Sequence, residues 1–209
     1  MSAAVSEEMR TILYSGAYEE REYEVLSRLL EPSDRVLELG SGLGFITVVC
    51  AQRCSSVSSV EANPQLLDTL RETFRRNGVA PQLVSGMVSS SDEEQTLFVA
   101  RDFWSSSTYD RGGAATRVGG LAFGRLLTEH RPTVLVIDIE GAELGLTHET
   151  IAPGVRAVVI ELHAKVTGSE GARLVRDWIA GQGFELTRDW GDRSVVVYER
   201  PRRPSRAEP

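Results

Sequence analysis

Apolar residues recur every three or four positions through residues 17–30, at Tyr23, Leu26, Leu29 and Leu30. That spacing lines one face of a helix. Acidic residues occupy its early turns, where the helix dipole favours them, and Glu31-Pro32-Ser33-Asp34 stops it because proline cannot continue a helix. A short apolar strand follows at 35–39, and the pattern then alternates. Helices are expected at 45–53, 64–77, 121–130 and 170–181, with strands at 57–61, 82–88, 96–100, 133–139 and 155–162. A hairpin, 184–190 with 194–199 turning through Gly191-Asp192, closes the chain. No internal repeat is evident. Strands that alternate with helices predict an α/β fold, a doubly wound, mostly parallel seven-stranded sheet with helices on both faces. The terminal hairpin adds an antiparallel strand.

Between the first strand and the second helix lies Leu39-Gly40-Ser41-Gly42-Leu43-Gly44-Phe45. A strand that ends in glycines and opens into a helix is a cofactor cradle, because the backbone turns tightly and leaves N–H groups facing a ligand. The spacing is G-x-G-x-G, whereas a dinucleotide fingerprint is G-x-G-x-x-G. Glu38 stands two residues before the first glycine. With that acid before the loop and no Lys-Ser/Thr after it, a phosphate would meet repulsion, so the loop suits a cofactor that carries positive charge. Glu61 ends the second strand, roughly twenty residues beyond the first glycine, where an acid reaches ribose hydroxyls in this architecture.

Composition narrows the function classes. With 209 residues the chain can bury a good core and favours one domain. We expect residues 1–13 to be flexible, 14–200 to form the domain and the Pro- and Arg-rich residues 201–209 to be disordered. The formal charge of -7 argues against a nucleic-acid backbone as partner. No apolar run approaches the roughly 18 to 20 residues that span a bilayer, and residues 1–10 lack a leader pattern. A cytoplasmic protein with no membrane partner is therefore expected; oligomeric state cannot be read. Cys50 and Cys54 share one apolar helical face and are expected to be core residues without chemistry. Residues 101–120 are rich in Ser, Gly and Asp around Phe103, Trp104 and Tyr109. They read either as a surface loop or as a lid.

A second polar constellation sits at strand ends. Ile137-Asp138-Ile139-Glu140-Gly141-Ala142-Glu143 closes one apolar strand and Val159-Ile160-Glu161-Leu162-His163 closes the next. Residues two apart on extended chain share a face, so Asp138 with Glu140 and Glu161 with His163 are expected to crowd the carboxyl end of the sheet, where ligands bind in open α/β folds. Two chemistries use such a group. His163 acts as general base near its working pH range, with a carboxylate holding its ring; or Asp138, Glu140 and Glu161 bind a divalent cation such as Mg. The base is favoured. His130 and His148 are read as solvent-facing.

These blocks, together with Ser15-Gly16-Ala17-Tyr18-Glu19 and Val60-Glu61-Ala62-Asn63-Pro64, resemble the FkbM-type methyltransferases, a branch of the class I, Rossmann-like S-adenosylmethionine-dependent enzymes. The resemblance runs from about Tyr14 to Tyr198, and the stretch from Asp138 to Glu143 is its specific part. It implies methyl transfer from S-adenosylmethionine to a hydroxyl of a small molecule, sugar or other natural product, with nitrogen of a peptide or protein, or a non-catalytic nucleotide-binding module, as alternatives. By position, Glu38, Gly40, Ser41, Gly42 and Gly44 would hold the methionine part, Glu61 and Ala62 the ribose, and Gly86, Met87 and Val88 the adenine edge. Asp138 would lie beside the transferred methyl. The chain departs from the pattern at Val136, where such enzymes commonly carry lysine, and at Glu38, where many carry aspartate. No Asn-Pro-Pro-aromatic motif follows the fourth main strand, which places nucleic-acid methylation last.

Overall fold

The structure, a computed structural model, describes residues 19–99, 113–189 and 195–201. Among these residues five α-helices, α1 (Glu20–Leu29), α2 (Phe45–Ala51), α3 (Leu67–Arg76), α4 (Phe123–His130) and α5 (Ala164–Gly181), surround the strands. The main strands are β1 (Arg35–Leu39), β2 (Ser56–Glu61), β3 (Gln82–Ser85), β8 (Val134–Ile137), β9 (Ala157–Glu161), β10 (Glu185–Asp189) and β11 (Val195–Glu199). They form one seven-stranded sheet in the order β10-β11-β9-β8-β1-β2-β3. Strands β3, β2, β1, β8 and β9 run parallel, and β11 is antiparallel to both β9 and β10. The expected doubly wound sheet with its antiparallel terminal strands is present.

Both faces of the central strands are apolar, because helices cover both. Leu37, Leu39, Leu135, Ile137, Val158 and Ile160 pack with α4 and α5 through Phe123, Leu126, Val175 and Ile179. Val36, Val134, Val136 and Val159 face the other way, onto Val25 and Leu26 of α1 and Ile46 and Val49 of α2. Cys50 and Cys54 are buried in that second layer. Asp34 ties the entry of β1 to the entry of β9. Its carboxylate accepts from the Glu31 amide at 2.8 Å, the Thr133 hydroxyl at 2.7 Å and both Nε and Nη2 of Arg156. Among the described residues, no helix is long and apolar enough to cross a membrane.

Chain order reverses beside β1: β2 and β3 extend to one side, β8 and β9 to the other. Ligands in open α/β sheets bind at this switch point, beyond the carboxyl ends of the strands. Here the β1 and β8 ends touch. The Asp138 amide donates to the Leu39 carbonyl at 2.8 Å, and a Cβ at residue 40 would sit 1.7 Å from the Asp138 carbonyl oxygen. Gly40 also has φ +89, so both the backbone angle and the space require glycine.

The structure departs from the sequence expectations in a few places. Gly86 splits the third strand. Its φ of +150 and the nearby Leu121 side chain, 2.7 Å from where a Cβ would stand, turn the chain away. A separate strand β4 (Met87–Ser89) then pairs in parallel with β7 (Gly120–Ala122). The second half of the expected 101–120 loop is strand: β6 (Ala114–Val118) pairs antiparallel with β5 (Gln95–Val99). Phe103, Trp104 and Tyr109 lie outside the described residues, as do residues 1–13 and all of the expected tail except Pro201. Helix α5 starts at Ala164, earlier than expected, in two pieces kinked at Gly168.

The Gly40 constraint is open to a paired test. Gly40→Ala should cost more than about 4 kcal/mol, because it adds backbone overlap to a left-handed strain. Gly78, also at positive φ but with nothing within 4 Å of where a Cβ would stand, should cost only about 1 to 2 kcal/mol as alanine. Urea unfolding of the two variants checks this; equal losses would contradict it.

Candidate functional site

The glycine loop is braced from beneath by Glu61, which is buried at the end of β2. Its Oε2 accepts from the Ser41 amide at 3.2 Å and the Gly42 amide at 3.0 Å, and its Oε1 from the Asn63 amide at 2.7 Å. Burial raises the Glu61 pKa, opposed by these three backbone donors. The amides that the sequence placed towards a ligand thus hold an anionic side chain first. A carboxylate has about four acceptor positions, so Glu61 retains capacity for a ligand hydroxyl.

Glu38 points elsewhere. It is 2% exposed on the face of β1 that α2 covers, and its Oε2 accepts from the Thr47 hydroxyl. Thr47 in turn lies 3.1 Å from the Ser59 hydroxyl, Ser59 lies 2.5 Å from the Ser41 hydroxyl, and Ser41 donates to the Val60 carbonyl at 3.0 Å. Burial pushes the Glu38 pKa up to about 7 despite these partners. Val136 is the cross-strand neighbour of Glu38 and packs among apolar side chains. The missing lysine is therefore missing beside Glu38, and not beside the acidic cluster. Gly86 approaches the cradle through its amide, which donates to the Glu61 carbonyl at 2.9 Å. The Met87 and Val88 side chains are buried in core clusters, and Ala62 packs against the cluster that holds Met87.

The second constellation converges as expected, by a different route. Strand β8 ends at Ile137, so Asp138 and Glu140 leave the strand in a turn where Glu140 has φ 52 and Gly141 φ 99. His163, the residue before α5, lies between them. Its Nε2 is 3.4 Å from Asp138 Oδ1 and 3.6 Å from Glu140 Oε2, and its Nδ1 is 3.3 Å from Glu143 Oε1. Glu161 belongs to the same group, with a carboxylate oxygen within 4.8 Å of ligand atoms of Asp138 and His163. Asp138 Oδ1 is sealed from solvent and receives no hydrogen bond.

Glu143 is the residue that sequence reasoning passed over. It is 1% exposed, and its two oxygens accept from the Gly141 amide at 2.8 Å and the His163 amide at 3.0 Å, besides facing the imidazole. It clamps the turn after β8 to the end of β9. An acid in an otherwise apolar short helix, three residues after Glu140, was the available signal.

The surroundings settle the charge of His163. Burial alone would lower its pKa, but the Glu143 hydrogen bond and the charges of Asp138, Glu140 and Glu143 lift it to about 10. From the sequence the ring is expected to work near neutral pH; these neighbours favour its charged form above that range. Burial would raise Glu143, yet His163 outweighs it and holds that carboxyl below its usual range. Asp138 is pushed well above the carboxylate range by burial and then by the charge of Glu161. The expected oxygen-only set of Asp138, Glu140 and Glu161 is not the set that converges: ligand atoms of Asp138, Glu161 and His163 lie within 4.8 Å of one another, with an imidazole nitrogen in place of the Glu140 oxygen. His130 is also corrected, being half-buried with Nδ1 2.9 Å from the Ser58 hydroxyl; His148 is exposed.

Known proteins share this cradle. A family model described as ribosomal RNA adenine dimethylase matches residues 24–83, which run from α1 to β3 and include the glycine loop and Glu61. The fold is that of the Rossmann-like S-adenosylmethionine-dependent methyltransferases. The ribosomal protein L11 methyltransferase of Thermus thermophilus is 28% identical over 162 residues, 76% of this chain and 48% of its own length. The ribosomal RNA small subunit methyltransferase A of Geobacter metallireducens is 42% identical over 48 residues, 23% of this chain and 18% of its own. The chain thus spans about half of the first relative and less of the second. A solved methyltransferase FkbM from Methylobacillus flagellatus superposes with TM-score 0.52 at 14% identity, covering 85% of this chain and 47% of that one. At that identity the likeness speaks for the fold alone. The exclusion of nucleic acid is overturned by these matches, since proteins named for ribosomal RNA methylation match the stretch of this chain that holds the glycine loop. Net charge summed over a whole chain does not report the face that meets an acceptor.

The clamp predicts a spectroscopic result. Because His163 titrates near 10, above its ordinary value of about 6.5, the stabilisation it draws from the cluster is complete below about pH 6.5. It is lost as pH rises through 10. Glu143→Gln should lower the His163 pKa by at least about one unit, read from its ring resonances in an NMR titration; an unchanged pKa would show that Glu143 does not hold the ring.

Proposed function

We propose that the chain transfers the methyl group of S-adenosylmethionine to a nitrogen of a protein or peptide side chain. The observation that carries the cofactor reading is the cradle itself: Gly40 pressed against the Asp138 carbonyl and buried Glu61 under the loop, at the switch point of the sheet. These residues fit the cofactor. Glu61 offers acceptor positions to ribose hydroxyls, and the loop admits close approach of a ligand. When bound, the cofactor supplies an electrophilic methyl on a sulfonium.

The acceptor side supports a cationic or proton-bearing nucleophile. Asp138, Glu140, Glu143 and Glu161 are four acids around one imidazolium, and an excess of negative charge attracts an ammonium group. An amine must lose a proton before its lone pair attacks. Glu140, 3.6 Å from His163 Nε2, can take that proton, and Glu143 holds the imidazole through Nδ1. The chain's remaining work is to align the acceptor. The L11 match also spans most of the chain, acceptor side included, whereas the ribosomal RNA family model stops at residue 83.

A second reading, O-methylation of a small-molecule or natural-product hydroxyl, draws on the Asp138 to Glu143 stretch that resembles FkbM-type enzymes. Both readings share the cofactor site. Neither needs a divalent cation, so chelator dialysis should leave turnover unchanged; a loss restored by Mg would reverse that part.

Two measurements test the proposal. Calorimetry should show micromolar binding of S-adenosylhomocysteine, and no binding would end the methyltransferase reading. Incubation of cell extract with methyl-labelled S-adenosylmethionine should place label in protease-sensitive material. Label confined to nuclease-sensitive or small-molecule fractions would move the acceptor to RNA or to a hydroxyl.

A further inference from the structure

Asn63 follows β2, two residues after Glu61, and is 2% exposed. Most of its polar groups are taken. Its amide donates to Glu61 Oε1 at 2.7 Å, its carbonyl accepts from the Leu66 amide at 3.1 Å, and its side-chain Oδ1 accepts from the Gln65 amide at 3.0 Å. The last contact caps the short 3₁₀ turn Pro64–Leu66, a position where asparagine is favoured. A backbone amide can only donate, so the contact with Gln65 identifies the capping atom as oxygen and leaves the carboxamide nitrogen as the open end. That Nδ2 group has no hydrogen-bond partner among the described residues, and it is not sealed from solvent. The cap explains the oxygen. It does not explain a pair of N–H donors standing open on a side chain that is otherwise enclosed.

The residue tied to Asn63 is Glu61, whose carboxylate takes the amides of Ser41 and Gly42 on Oε2 and that of Asn63 on Oε1. Carboxylate oxygens only accept, whereas a carboxamide nitrogen only donates. An acceptor and a donor held together match a ligand group that has both an O–H and lone pairs, and a hydroxyl is such a group. A ring nitrogen or a carbonyl would satisfy Asn63 and leave Glu61 unmet. Resting on the cofactor reading above, we infer that Asn63 is a specificity-determining residue for the nucleoside: a ribose hydroxyl donates to Glu61, and the oxygen of that hydroxyl accepts from Asn63 Nδ2. No covalent bond changes. The pair then selects ribose over deoxyribose, because loss of the hydroxyl leaves an acceptor and a donor together without a partner. Backbone contacts hold the pair in place. The Asn63 amide ties the residue to Glu61, and the Gln65 amide holds the carboxamide by its oxygen.

The test is calorimetry of S-adenosylhomocysteine and of its 2′-deoxy and 3′-deoxy counterparts, with the full wild-type chain and with Asn63→Ser. Serine keeps a capping oxygen and lacks the carboxamide nitrogen. The substitution should raise the Kd of S-adenosylhomocysteine by about three- to tenfold. For the deoxy compound that lacks the hydroxyl concerned, it should change Kd by less than about twofold, since the interaction it removes is already absent. Urea unfolding should show stability close to wild type, because the cap is retained; a cap alone would leave all three affinities unmoved. An unaltered Kd for S-adenosylhomocysteine overturns the inference and leaves the cofactor reading intact. A Kd raised equally for all three ligands assigns the effect to another part of the cofactor and also overturns it. Absence of binding to the wild-type chain removes the cofactor reading itself. Should Asn63→Ser fail to fold, Asn63→Asp, which keeps the length and the capping oxygen without the N–H donors, takes its place. The same dependence on the ligand hydroxyl supports the inference, and its absence refutes it.

Discussion

The contact between Gly40 and the Asp138 carbonyl is the constraint on which the site depends. Parallel strands β1 and β8 are neighbours whose ends come together at the switch point of the sheet, and a side chain at residue 40 has nowhere to go. Because the two backbones meet there, the glycine loop after β1 and the acidic turn after β8 become one surface. The proposed cofactor cradle and the proposed acceptor edge are thus built by a single backbone approach. The apolar layers on both faces hold the strands in the register that produces it.

Acids around this junction play different parts because their partners differ. Glu61 meets backbone amides, Glu38 meets the Thr47 hydroxyl, Glu143 meets the His163 amide and ring, and Asp138 lies 3.4 Å from His163 Nε2. Amides favour the ionised carboxylate. Glu143, with Asp138 and Glu140, favours the charged form of His163 and so links the surrounding acids through one ring.

Much of the fold was legible from the chain because its signals are local. The periodicity of α1, the apolar runs of β1, β8 and β9, and the Gly40-Ser41-Gly42-Leu43-Gly44 loop each depend on near neighbours. The third strand breaks at Gly86, where a Cβ would stand 2.7 Å from Leu121, far along the chain, and strand β6 depends on pairing with β5; neither leaves a local trace. At the site, Asp138, Glu140, Glu161 and His163 were found from their position at strand ends, although the alternation rule invoked for them does not hold past Ile137. The charge of His163 was misjudged because it is set by Glu143, a buried partner twenty residues away in sequence. Glu38 was read as facing the cofactor, when strand alternation sends its side chain under α2. The exclusion of nucleic acid failed for a different reason: whole-chain charge carries no spatial information.

The central proposal is that Glu61 and the Gly40 to Gly44 loop form a site for the nucleoside of S-adenosylmethionine, with Asp138 at its acceptor edge. A crystal structure of the chain with S-adenosylhomocysteine tests it most directly. Ribose hydroxyls are expected on the Glu61 carboxylate, with the thioether beside Asp138. Ligand bound elsewhere, or a ribose that leaves Glu61 untouched, would contradict it.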